Sequence, residues 1–296
     1  MRGLVGPARG GSGSRSRSST GGRGAGGFPG FGTSRSRLGR LLRPARAAGL
    51  LGMLACGFAL SFVTGPTAFG VSRTELPKLA WTSAQQLTDA LALPKGGNVF
   101  RLDTAPLVAK LETLPAVADA TIEIRLPDAA VVVHVDERTP VLAWQVGTTR
   151  YIADAQGVIF ATLPTEAKLP AGIAVIEDDR PVPDPNLGIG AQIDVVDLDV
   201  ATRLGSLTPA DVGSTASRLR VAITDQEGWV VIAQNGWAAV FGFYSPATRP
   251  TDMIPGQVRL LRSLLAGREA SVARVILASE TDGTYIPRAT PKPTPR

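Results

Sequence analysis

The chain is poor in the residues that reactive sites are usually built from. It has one cysteine, one histidine and only 5% aromatic residues in 296 positions. A single Cys56 excludes an internal disulfide framework and any cysteine-rich metal site. With His134 as the sole imidazole, two-histidine metal clusters are excluded and histidine-based acid–base schemes have little to build on. A Ser-His-Asp arrangement would have to centre on that one residue, and no G-x-S-x-G elbow is present. No cofactor, no metal and no catalytic residue is therefore expected, and the chain is read as a non-enzyme.

Charge of one sign is also missing in places. Residues 1–46 contain ten arginines but no lysine, aspartate or glutamate. The remaining 250 positions hold 21 basic and 25 acidic groups, so the formal +6 of the whole averages a +10 tail and a −4 body. The tail is mostly Gly, Ser and Arg, with too little apolar surface to offset the entropy of ordering, and is expected to be disordered. Arginine tracts of this kind can bind nucleic acid by counterion release. Only Phe28 and Phe31 are present for stacking, and no nucleic acid is expected as a partner.

From Ala47 to Ser72 no residue is charged. About 20 helical residues cross a hydrocarbon core roughly 30 Å thick, so a transmembrane helix is expected over 47–70. Arginines 37, 40, 43 and 46 stand before it, which predicts an amino terminus in the cytoplasm and the rest of the chain outside. A cleaved signal peptide ending at Ala68-Phe69-Gly70 is the rival reading, at the cost of an unusually long leader.

Beyond the anchor, Ser83-Ala84-Gln85-Gln86 has the form of a capping box opening a helix through Leu91. Leu107, Val108, Leu111 and Leu114 recur at helical spacing after Asp103, a candidate N-cap. Ala120, Ile122 and Ile124 alternate with polar residues, Leu126-Pro127-Asp128 turns the chain, and Val131, Val133 and Val135 alternate back. His134 falls on the other face of that strand and is read as partly exposed.

Further on, Glu177–Asn186 and the aspartates 194, 197 and 199 lack the frame of a calcium loop and are read as solvated surface. Strands are expected over 219–224, 229–233 and 237–243, the last two joined through Asn235-Gly236, a strong hairpin signal. Trp229 and Trp237 are read as cross-strand packing. Ile254, Val258, Leu261 and Leu265 mark an amphipathic helix over 253–265, followed by a final strand at 272–277, a turn at Asp282-Gly283 and then Thr284-Tyr285-Ile286. Prolines 287, 291, 293 and 295 close the chain.

Three fragments stand in order after the anchor: Leu114-Pro115-Ala116-Val117-Ala118-Asp119-Ala120, Arg125-Leu126-Pro127-Asp128, and Val135-Asp136-Glu137-Arg138-Thr139-Pro140-Val141. They resemble the POTRA domain of the FtsQ/DivIB cell-division proteins, and Tyr151–Phe160 is similar to that family's Y-x-x-D-x-x-G-x-x-F. The family's first strand is replaced here by Leu79-Ala80-Trp81-Thr82. The resemblance implies an α+β chain with a disordered tail (1–46), a transmembrane helix (47–70), a POTRA domain of β-α-α-β-β order (73–138), a mostly antiparallel β domain with a C-terminal amphipathic helix (139–286) and a proline-rich tail (287–296). It implies a division scaffold in the bacterial cell membrane at the septum, with FtsB/FtsL (DivIC/FtsL)-type partners docking by β-augmentation on an unpaired strand edge. By position that role falls to Val272, Arg274, Ile276 and Ala278, with Tyr285 as an aromatic anchor. Other readings are a different POTRA-bearing export or assembly factor, although no tandem repeats are present, and an anchored hydrolase.

Overall fold

The computed structural model describes residues 44–289 except 66–68, 94–95, 127, 183–184 and 186, and side chains are described from residue 47 onward, with that of Thr64 also excluded. Of the tail expected over 1–46, residues 1–43 lie outside the described residues, as does the chain beyond 289, while 44–46 are helical and open the first helix. The described residues up to Phe58 form one unit and those from Ala59 onward a second.

Helix α1 runs Pro44–Thr64. Among the described residues no helix is long and apolar enough to cross a membrane. The described side chains of α1 cover 47–63 alone, a stretch shorter than the ~20 residues a span needs.

The next module packs two short helices on a three-stranded sheet. α2 (Ala84–Leu91) starts at Ser83, where the expected capping box is complete: Ser83 accepts from the Gln86 amide and Gln86 reaches back to the Ser83 amide. α3 (Ala105–Glu112) starts at Thr104, with Pro106 in its first turn; Asp103 accepts the Ala105 amide just before it. Leu87 and Leu91, and Leu107 and Leu111, lie one turn apart and bury their side chains on Val117, Ala120, Val131, Val133 and Val135. The last five come from β2 (Val117–Arg125) and β3 (Ala130–Glu137), an antiparallel hairpin. His134 is exposed on β3, its ring 3.8 Å from Glu123.

The first strand is not where the sequence suggested. Leu79–Thr82 is a turn, and β1 is Arg73–Glu75, pairing in parallel with β3. Three residues reading Arg-Thr-Glu carry no alternation of apolar and polar side chains, so period alone could not find them.

The second module is one nine-stranded sheet. Its strands are β4 (Leu142–Val146), β5 (Thr149–Ala153), β6 (Ile159–Pro164), β7 (Ala174–Asp178), β8 (Leu219–Thr224), β9 (Gly228–Ala233), β10 (Ala238–Gly242), β11 (Val272–Leu277) and β12 (Gly283–Pro287). They lie in the order β12-β11-β10-β9-β8-β7-β4-β5-β6. Antiparallel pairs predominate, while β4–β7, β7–β8 and β10–β11 are parallel. Helices α4 (Val195–Gly205) and α5 (Ile254–Leu265) cover one face, burying Val200, Leu204, Leu261 and Leu265 against Ile176, Val221, Val231 and Val275. The Asn235-Gly236 turn forms as expected, with Gly236 at φ 95.

Of the two acidic stretches read as solvated surface, the later one is exposed at Asp194 but opens a helix, and the earlier one has a buried carboxylate. Asp194 is the N-cap of α4, accepting from the Val196 and Asp197 amides. Asp178 is buried at the end of β7, where its carboxylate takes the Trp144 indole N–H at 3.0 Å and the Arg180 guanidinium. Burial alone would raise its pKa, but the bonds from Arg180 and Trp144 hold it below the usual value.

Candidate partner interface

The two ends of the nine-stranded sheet are the places where an edge could be offered. At the β6 end the margin is partly closed. Ile159 donates its amide to Ala191 O at 2.9 Å and accepts the Gly190 amide at 2.7 Å, and Val158 bridges Gln192. The first module then packs beside this end. Trp81 meets Phe160 edge to face at 5.4 Å, and Ala116 joins Ala143, Ile152 and Phe160 in a small core.

The dipeptide Glu137-Arg138 fastens that junction. The Glu137 carboxylate accepts the amides of Ala80, Trp81 and Thr82 at 2.6, 2.8 and 2.6 Å, which gathers the turn that carries the indole. Arg138 donates from Nε to Pro115 O at 3.0 Å and from Nη1 to Asp154 at 2.5 Å. Asp154 is buried, and its other oxygen accepts the Gln156 and Val158 amides at 2.9 Å each. Gly157, at φ 79, closes the turn. Residues legible in the sequence only as a strand end and a tight turn thus hold the two modules together.

The β12 end is built the other way. β11 lies between β10 and β12, so its backbone is paired on both sides and it is not an edge. The residues singled out from the sequence divide accordingly. Val272 is in the core, 0% exposed, and cannot touch a partner. Arg274 and Ile276 alternate with the buried Val275 and Leu277 and so face away from α5; Arg274 is held by Glu227. Ala278 is exposed past the strand end, where its amide bonds Asp282 O at 2.9 Å. Tyr285 alone stands on the edge strand, opposite Val275 and on the α5 side of the sheet, with the Arg268 guanidinium 5.5 Å from its ring.

The direction of the free backbone groups follows from the ladder. Asp282 O accepts from Ala278 and the Arg288 amide donates to Ser271 O at 2.7 Å, so the even-numbered residues of β12 turn their backbone groups toward β11. Gly283, Tyr285 and Pro287 turn theirs outward. Pro287 has no N–H to offer, so the open margin supplies two donors and three acceptors. Gly283 leaves room for Leu260 of α5, whose Cδ2 would sit 3.1 Å from a Cβ there.

A carboxylate hub anchors the base of this edge. Glu269 accepts from Ser214 Oγ, from the amide and hydroxyl of Thr215, from Asn235 Nδ2 at 2.8 Å and from the Trp237 indole at 2.8 Å. Desolvation pushes its pKa up, but the bonds from Ser214, Asn235 and Thr215 outweigh it and hold the carboxyl at about 2. Arg288, directly after β12, donates to Asn235 O at 2.9 Å and ties the strand to the same hairpin. Nothing in the sequence announced Glu269; its five donors come from two separate segments, 214–215 and 235–237. Trp237 spends its N–H there, while Trp229 packs on Trp144, ring centroids 5.8 Å apart.

Residues 78–138, the two helices and the β2–β3 hairpin with the turn before them, match the family of the POTRA domain, FtsQ-type. This is an FtsQ-type POTRA domain. The chain is similar over most of its length to the cell division protein FtsQ of Chloroflexus aurantiacus, 28% identical over 256 residues that cover 85% of this chain and 82% of that one. It is 29% identical over 192 residues to the cell division protein FtsQ of Chloroflexus aggregans, covering 64% and 69% of the two chains. For the cell division protein FtsQ of Mycobacteroides abscessus the match is 28% over 145 residues, 49% of this chain and 45% of that one. The resemblance read from the fragments around the FtsQ-type POTRA domain therefore holds.

Proposed function

We propose that this chain is a non-enzymatic, single-pass scaffold of the bacterial cell-division machinery. It is anchored in the cytoplasmic membrane at the septum, and outside that membrane it binds single-pass partners of the FtsB/FtsL (DivIC/FtsL) type by strand addition to β12. The observation that carries the reading is an FtsQ-type POTRA domain followed by a sheet whose last strand leaves one margin open among the described residues. Main-chain hydrogen bonds to Gly283, Tyr285 and Pro287 would give affinity, and the exposed side chains of Thr284, Tyr285 and Ile286 would select the partner. This moves the docking strand one place outward from Val272–Leu277.

The anchor in this reading is α1. Its 21 residues would rise about 31 Å, the thickness of a hydrocarbon core. Leu54 and Phe58 are 68% and 76% exposed, as lipid-facing side chains are. The arginines before it favour a cytoplasmic amino terminus.

Site-specific photocrosslinking in dividing cells tests the docking surface. A crosslinker at Thr284, Tyr285 or Ile286 is expected to capture a small single-pass division protein, while one at Thr162 on β6 captures none. Equal capture from both ends, or none from β12, overturns the proposal. Depletion of the protein is expected to give filaments; normal septation without it removes the division role.

A further inference from the structure

Gly65 and residues 69–72, between α1 and β1, are stitched to the POTRA domain. Asn98, itself buried, donates from Nδ2 to Val63 O at 2.9 Å and to Gly65 O at 2.6 Å. Its Oδ1 accepts the Phe100 amide at 2.8 Å. Val63 O is among the last carbonyls of α1, groups that a helix leaves without an internal partner. On either side of Asn98, Val71 donates to Gly97 O at 2.9 Å and Val99 to Phe69 O at 3.0 Å. Two rings project from this stitching. Phe69 and Phe100 are 45% and 49% exposed and meet edge to face, centroids 5.3 Å apart. Phe69 does so at φ 55, a region that bulky side chains adopt only when their surroundings force it.

We infer that the Phe69–Phe100 pair is a membrane seat: both rings enter the interfacial layer of the leaflet from which α1 emerges, and Asn98 fixes them at that depth. The inference rests on reading α1 as the anchor. Three observations favour lipid as the occupant. The pair is continuous with the helix end, because the residue that presents Phe100 is the one that caps Val63 and Gly65. Carbonyls at a helix end near hydrocarbon must be satisfied by protein, and the Asn98 amide does this. Phenylalanine rings on apolar faces bury at the boundary between headgroups and acyl chains, and Arg101, exposed on the same turn as Phe100, is placed for a lipid phosphate.

The test uses the full chain in nanodiscs of phosphatidylethanolamine and phosphatidylglycerol, in a Cys56→Ala background. A fluorophore is placed in turn at Leu54→Cys, Phe100→Cys and Glu166→Cys, and quenching by nitroxides on shallow or deep acyl carbons is read. Deep quenching at 54, shallow quenching at 100 several-fold above that at 166, and loss of the shallow quenching at 100 in Asn98→Ala are expected. Deep quenching at 54 with a probe at 100 as free of quenching as 166 overturns the seat and leaves the anchor standing. No quenching at 54 overturns the anchor itself, and the seat with it.

Discussion

The two margins of the nine-stranded sheet are finished in opposite ways. At β6 the backbone of Ile159 is paired by the 190–191 segment, Phe160 is buried under Trp81, and the junction with the POTRA domain is fixed by hydrogen bonds that the Asp154 and Glu137 carboxylates accept. At β12 the outward groups of Gly283 and Tyr285 meet no strand among the described residues, and the side chains are exposed. An unprotected edge invites aggregation, so proteins tend to cover one, charge it or keep it short. Here the closed end holds the chain's own domain. The open end is kept short at five residues and limited by Pro287.

The largest effect is expected at the closed end. Arg138→Ala would leave the buried Asp154 carboxylate without its cation and should cost about 3 kcal/mol in chemical denaturation. A loss below about 1 kcal/mol would mean that the junction is held by the Trp81–Phe160 core instead. At the open end, Glu269→Ala would strand five donors and should cost about 2 kcal/mol. The same group gives that end an acid sensitivity. Its pKa is about 2 in the fold against 4.5 for an ordinary glutamate, so its stabilisation is complete above about 4.5 and drains away as the pH falls toward 2. Asp178, also lowered, acts in the same direction. Glu269→Gln should flatten the stability–pH curve across that window, and an unchanged slope would put the acid sensitivity elsewhere.

Much of this was legible in the sequence because it is local. The Ser83 capping box, the Asn235-Gly236 hairpin and the apolar stripe Ile254-Val258-Leu261-Leu265 each specify structure within a few residues. What escaped is what only tertiary structure defines. β1 is too short to carry a period. α4 was hidden because its aspartates read as surface, although Asp194 is an N-cap. The Glu137-Arg138 pair gave no hint that its partners lie 55–57 residues before it and 16 after. Above all, the strand at 272–277 has the apolar content of a sheet strand, but whether it is central or marginal depends on what pairs outside it. The weakly apolar Gly283–Pro287 is that outer neighbour.

The edge itself is tested most directly by Tyr285→Pro. Proline removes an N–H that points away from β11, so the fold should keep its melting temperature within about 2 °C, while affinity for the partner's ectodomain falls about tenfold, ~1.4 kcal/mol. Thr284→Pro, which removes a donor facing β11, should instead lower stability. Unaltered partner affinity in a folded Tyr285→Pro protein would contradict docking by strand addition at β12.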